Sequence, residues 1–117
     1  MRKIVHTDNS EFFRRLVRTF LAEQGFEGVS YDQGLMALEA VKGGDVALVI
    51  TGISLPDMNG EDFIRQIVGE PYKIPVIVLT ADEAPEKQRA LEELGIKAYI
   101  LKSKAWQEKL LPYLNIL

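Results

Sequence analysis

The feature that most constrains this chain is an alternation of two apolar rhythms. Five short runs rich in β-branched residues, at Lys3 to Thr7, Gly28 to Tyr31, Asp45 to Thr51, Ile74 to Thr80 and Ala98 to Leu101, are almost continuously apolar. That pattern predicts strands covered on both faces. Between the runs, apolar residues recur at helical spacing. Glu11 to Gln24 carries Phe13, Leu16, Val17, Phe20 and Leu21 on one face and Arg14, Arg15 and Arg18 elsewhere, and Gly25 stands where a helix-ending glycine belongs. A second helix is expected from about Gln33 to Val41, stopping at Gly43-Gly44. A third follows Gly60, with Phe63, Ile64, Ile67 and Val68 inward. A fourth opens at Pro85, a favoured first helical residue, and ends at Gly95; the last spans roughly Lys104 to Leu114. Five strands alternating with five helices predict an α/β fold with a parallel sheet and right-handed crossovers. Such sheets hold their ligands at the C-terminal strand ends, near the switch in strand order. Here those ends are Thr7-Asp8-Asn9, Thr51-Gly52, Thr80-Ala81 and Leu101-Lys102.

Composition narrows what those ends can do. The 117 residues are 47% hydrophobic and 26% charged, which predicts a single domain over 1–117 with an ordinary core. The net charge of −3 argues against nucleic-acid binding, which calls for a basic surplus. Without cysteine there are no disulfides or thiolate metal sites, and one histidine, His6, cannot build a multi-histidine zinc site. His6 lies mid-strand and reads as a hydrogen-bonded core residue. No apolar run has the length of a membrane span and no secretory signal pattern opens the chain, so a cytoplasmic protein is expected.

The four strand ends, with their flanks, resemble the receiver domain of two-component response regulators over essentially the whole chain. Lys3 to Ser10 resembles the first strand and its acidic pair. Ile53-Ser54-Leu55-Pro56-Asp57-Met58-Asn59-Gly60 resembles the loop after the third strand and is the most specific of the four segments. Val76 to Ala81 resembles the fourth strand with its switch hydroxyl, Thr80, and Ala98 to Lys102 the fifth with its switch aromatic, Tyr99, and its lysine. The resemblance implies a flavodoxin-like (βα)5 three-layer sandwich of strand order 2-1-3-4-5. It also implies phosphoryl transfer from a partner kinase or small phosphodonor to an aspartate, with Mg²⁺ held by the acceptor and the acidic pair. In such transfer, positioning and charge neutralisation do most of the work.

This chain departs from the pattern where it matters most. In the family the acceptor lies four residues before the loop proline, and Pro56 puts that position at Gly52, which has no side chain to phosphorylate. The second acidic residue is replaced by Asn9. Asp8, Asn9, Gly52, Thr80 and Lys102 are therefore expected to form a vestigial site, with no catalytic residue, no metal and weak or absent Mg²⁺ binding, because Mg²⁺ relies on carboxylates or phosphates to offset its dehydration. Asp45 belongs to the far end of its strand, Asp57 reads as a solvated loop residue and Thr51 points to the opposite face, so none replaces the acceptor. The Lys-Pro step usual in the family is Lys102-Ser103 here. A cis bond before a residue other than proline costs about 2.5–4 kcal/mol, so this peptide is expected trans, with Ser103 as an N-cap of the last helix.

Plainer roles compete at several positions. Asn9 or Ser10 serves equally as N-cap of the first helix. Lys102 is expected to pair with Asp8, against an ordinary surface lysine. Thr80 is either a switch hydroxyl or a closer of a backbone turn, and Gly52 is compatible with a tight turn at the strand end. Trp106 is expected half in the core and half at the surface. The reading is a phosphorylation-independent regulatory module, not an enzyme. Its partners would be a protein or other domains of a longer regulator, or a second copy through the fourth helix, fifth strand and fifth helix. Arg89, Tyr99, Trp106 and Lys109 are the candidate contact residues. The alternatives are a conventional phospho-receiver whose acceptor was replaced at Gly52, and a small-ligand sensor using the vacated crevice.

Overall fold

The strands form where branched apolar residues can be covered on both sides, and the sheet they build fixes the location of the site. The computed structural model describes residues 2–117. The elements in chain order are β1 (Lys3–Thr7), α1 (Glu11–Glu23), β2 (Glu27–Tyr31), α2 (Gly34–Lys42), β3 (Val46–Thr51), α3 (Gly60–Val68), β4 (Val76–Thr80), α4 (Pro85–Leu94), β5 (Ala98–Leu101) and α5 (Trp106–Asn115). The strands are all parallel, in the order β2-β1-β3-β4-β5. This is the doubly wound architecture expected, with the strand order switching between β1 and β3.

Alternation along each strand sorts side chains into two cores. Ile4, Leu48, Ile50, Ile77, Leu79 and Ile100 face α1 and α5, where they meet Val17, Leu21, Trp106, Leu110 and Leu114. Val5, Val49, Val76 and Val78 face the other way, toward Ala37, Leu38 and Val41 of α2, Phe63, Ile64 and Ile67 of α3 and Leu91 of α4. Helix α1 is capped by Ser10, whose Oγ accepts from the Phe13 amide at 3.2 Å, and is followed by Gly25 at φ +88°. Asn9 is exposed and is not the cap.

Several expected boundaries move. β3 starts at Val46 because Asp45 takes φ +63°, outside strand geometry, and β4 starts at Val76, after Pro75. α5 starts at Trp106, not Lys104, and its N-cap position is Ala105. Ser103 is therefore not its N-cap; the Ser103 hydroxyl accepts a long 3.4 Å bond from the Ala105 amide inside the preceding turn. Leu16 sits at the margin of the α1 core face, 37% exposed. The Lys102-Ser103 peptide is trans, as its energetics require. No helix is long and apolar enough to cross a membrane among the described residues.

Candidate functional site

Asp8, Asn9, Gly52, Thr80 and Lys102 line one crevice of about 210 Å³ at the C-terminal edge of the sheet, together with Ile53, Ser54, Leu79, Ala81 and Asp82. β1, β3, β4 and β5 each deliver a residue there because they are parallel and in register, so their ends align.

Asp8 is held at every polar atom. Its amide donates to Tyr31 O at 3.1 Å, and its own carbonyl accepts from Arg14 Nη1 at 2.7 Å. Oδ1 accepts from the Ser10 amide at 2.8 Å. Oδ2 lies 2.6 Å from Lys102 Nζ, and the two side chains are 2% and 18% exposed. This contact is one of charge, since Oδ2 has no well-aligned hydrogen-bond donor. The expected pair between the first and fifth strands is therefore formed. The Lys102 ammonium also lies 4.4 Å from the centroid of the Phe13 ring, a cation–π contact of a kind that contributes about 0.5–2 kcal/mol. Phe13 was visible in the sequence only as one apolar residue of α1; its place under the lysine depends on how α1 packs on the sheet.

Gly52 does not owe its identity to backbone geometry. Its φ is not positive, and a Cβ built on it would have Thr7 O at 3.8 Å, Asp8 Oδ2 at 4.0 Å and Leu79 O at 4.0 Å as nearest neighbours, all ordinary contacts. The tight-turn explanation is therefore corrected: a larger residue fits. Gly60 is the opposite case, because a Cβ there would run into the Ile53 carbonyl. Thr51, next to Gly52, turns away from the crevice. Its hydroxyl donates to Gly52 O at 2.7 Å, so the Thr7 hydroxyl must supply the proton in the 2.5 Å Thr7–Thr51 contact.

On the α4 side, Asp82 gathers the switch residues. Its amide donates to Thr80 Oγ1 at 3.1 Å, so Thr80 closes a turn here. Its carbonyl accepts from Tyr99 Oη at 2.6 Å, and its carboxylate pairs with Lys87 at 3.0 Å. Burial, helped by the nearby Asp82 charge, raises the Tyr99 phenol above its usual range. Asp57 is more than a solvated loop residue. Its two carboxylate oxygens accept from the Gly34 and Leu35 amides at 2.8 and 2.9 Å, capping α2 from a distant loop. The Leu35 amide, then that of Gly34, holds its carboxyl below the ordinary carboxylate range.

A magnesium ion does not fit these residues well. Both oxygens of the Asp8 carboxylate are engaged by Ser10 and Lys102, the Asp82 carboxylate is paired with Lys87, and Asn9 and Gly52 bring no charge. Among the described residues no three His, Cys, Asp or Glu side chains lie together.

Of the candidate contact residues, Tyr99 and Lys109 line an open groove of about 460 Å³ between α4 and α5, and Arg89 is exposed on α4. Trp106 is not at the surface. It is 4% exposed, packed between Phe13 and Phe20 at centroid distances of 5.3 and 5.4 Å. A residue so enclosed cannot anchor a partner, so Trp106 is a core residue and not, as expected, a contact residue.

A family model described as the response regulator receiver domain matches residues 4–113. The chain is 34% identical to the chemotaxis protein CheY-3 of Vibrio cholerae over 103 residues, covering 86% of this chain and 79% of that one. It is 33% identical over 107 residues to the sensory/regulatory protein RpfC of Xanthomonas campestris, of which the match covers 14%. Among solved structures, it is similar to the chemotaxis response regulator CheY4 of Vibrio cholerae, at TM-score 0.85 and 26% identity over 99% of this chain and 98% of that one. It is also similar to the BeF3-activated N-terminal receiver domain of Klebsiella pneumoniae RstA, at TM-score 0.88 and 25% identity over 97% and 96%.

Proposed function

Because the chain belongs to the response regulator receiver domain family of two-component signalling, we propose that it is a pseudo-receiver, a regulatory module that works by binding and without phosphorylation. The observation that carries this reading is Gly52 at the acceptor position, in a crevice where the Asp8 carboxylate is already tied to Lys102. Asp45 precedes β3 at the far end of the sheet, Asp57 is committed to capping α2, and Thr51 is bonded to Thr7. None is free to accept a phosphoryl group. The domain has no turnover of its own, and Mg²⁺ binds weakly or not at all.

The output is association with a protein partner or with other domains of the parent regulator, in the cytoplasm, with no nucleic-acid or membrane role. The α4-β5-α5 face carries it, through Arg89, Tyr99 and Lys109, and the same face serves if the partner is a second copy. The space beside Gly52 also favours a second reading, a conventional receiver in which the acceptor has been replaced.

Incubation with acetyl phosphate and Mg²⁺, read by intact mass, tests the proposal. The expected result is no added phosphoryl group. A gain mapped to Asp8 or Asp57 overturns it. A Gly52→Asp variant measures the second reading, since acid-labile phosphate on that variant alone means that only the acceptor is missing.

A further inference from the structure

The lysine of the crevice is shared between two partners in different layers. Lys102 Nζ meets Asp8 Oδ2 at 2.6 Å and the ring of Phe13 at 4.4 Å. Phe13 lies on α1 and packs, tilted by 50°, against Trp106 of α5; Trp106 in turn meets Phe20 edge-on, at 71°. A continuous contact path therefore runs from the Asp8 carboxylate through Lys102 and Phe13 to Trp106, on the α1–α5 side of the sheet. On the opposite side, Thr80 and Tyr99 are both fastened to the Asp82 backbone and Lys87 to its side chain. That cluster meets Lys102 through the backbone, the Lys102 amide donating to Thr80 O at 2.8 Å, while the ammonium's ion pair and ring contact are with Asp8 and Phe13.

We propose that Phe13 is a positioning residue of the site, and that it couples the charge state and occupancy of the crevice to the α1–α5 layer through Trp106. The physical basis is that an ammonium ion held by a carboxylate and a π-face has two anchors. Weakening one lets the ammonium redistribute toward the other, and the ring that carries it moves against its neighbour. Residues in direct contact couple in this way, and a double-mutant cycle measures the coupling. The inference goes beyond the proposed function and does not rest on it, since the path exists whether or not the domain is ever phosphorylated.

Trp106 is the only tryptophan in the chain, so its emission and near-ultraviolet circular dichroism report on this one place. Asp8→Asn removes the charge that shares Lys102 while keeping the side-chain shape. It is expected to shift Trp106 emission in the parent chain. In a Phe13→Leu background the same substitution is expected to produce no further shift, and in a Phe13→Tyr background, which restores a ring, the shift is expected to return. An Asp8→Asn shift that is absent in the parent, or equal in all three backgrounds, overturns the proposal. A second measurement stands if Phe13→Leu folds poorly. The Lys102 ε-methylene protons are expected upfield of ordinary lysine values in the parent and in Phe13→Tyr, from the ring current. Unshifted ε-methylene protons in the parent also overturn it.

Discussion

A Cβ at position 52 would meet only ordinary contacts, whereas one at position 60 would strike the Ile53 carbonyl. The two glycines therefore stand at opposite ends of the β3–α3 connection for different reasons. Gly60 is required by a close backbone approach at the start of α3, and Gly52 is required by nothing in its surroundings. Gly52→Ala is expected to leave stability within about 1 kcal/mol of the parent, on the stabilising side, because it reduces unfolded-state freedom at no native cost. Gly60→Ala is expected to lose roughly 1–3 kcal/mol or more by overpacking. Urea denaturation of both variants checks the contrast, and equal losses would contradict it. At this scale the sequence disclosed the ends of the strands well. Asp8, Thr80 and Lys102 stand at or just past the ends of apolar runs, and the charge pair is expected because the family resemblance brings Asp8 and Lys102 into one site although β1 and β5 are not neighbours in the sheet. It did not disclose the roles of Asp57 or Phe13. Asp57 reaches Gly34 across 23 residues, and Phe13 meets Lys102 only through the docking of α1 on the sheet. Those are tertiary facts that local pattern does not encode.

Among the elements, β1 and α5 carry the next consequences. His6 sits in β1 with no exposed surface; Nδ1 lies 3.3 Å from Ser30 Oγ, and Nε2 has no protein partner. Burial pushes its pKa down to about 4 from 6.5; the nearby Asp8 charge opposes this, while Lys102, Arg14 and Arg18 reinforce it. The folded chain thus prefers neutral His6 and the unfolded chain binds the proton more readily. This contribution to stability is complete above about pH 6.5 and is lost as pH falls toward 4, to a total of roughly 3 kcal/mol. Asp57, whose pKa is depressed, contributes only in a lower window: its share is present above about 3.8 and is lost as pH falls through its folded pKa. Denaturation midpoints measured from pH 7 to 4.5 should fall in the parent and flatten in His6→Gln; parallel curves would contradict the assignment. In α5, Trp106→Ala is expected to cost about 3–5 kcal/mol of stability, as a core truncation does, and to leave partner affinity per folded molecule unchanged. Calorimetry with and without a partner separates the two effects. The later start of α5 had a local cause that sequence signals missed. The Ser103 hydroxyl was available as a cap, but the chain makes one more turn before Trp106 enters the core.

Over the whole molecule, two apolar layers on one parallel sheet hold the crevice at the sheet edge. The rhythm of strands and helices was enough to foresee that architecture, because covering each strand on both faces leaves few alternatives. The state of the site was legible only in part, since a missing side chain says what a site lacks but not what fills its role. Here Asp8 and Lys102 close on each other at one side of the crevice, and Asp82 fastens Thr80 and Tyr99 at the other. The proposed pseudo-receiver is thereby held in one conformation, with no phosphoryl signal able to move it. The most direct measurement is the amide spectrum of the chain with and without Mg²⁺ and beryllofluoride, a phosphoryl mimic that needs an acceptor carboxylate. Superimposable spectra at Asp8, Asn9, Ser54, Thr80, Tyr99 and Lys102 are the predicted result. Saturable shifts spreading from those residues into α4 and β5 would contradict it and return the chain to the phosphorylated receivers.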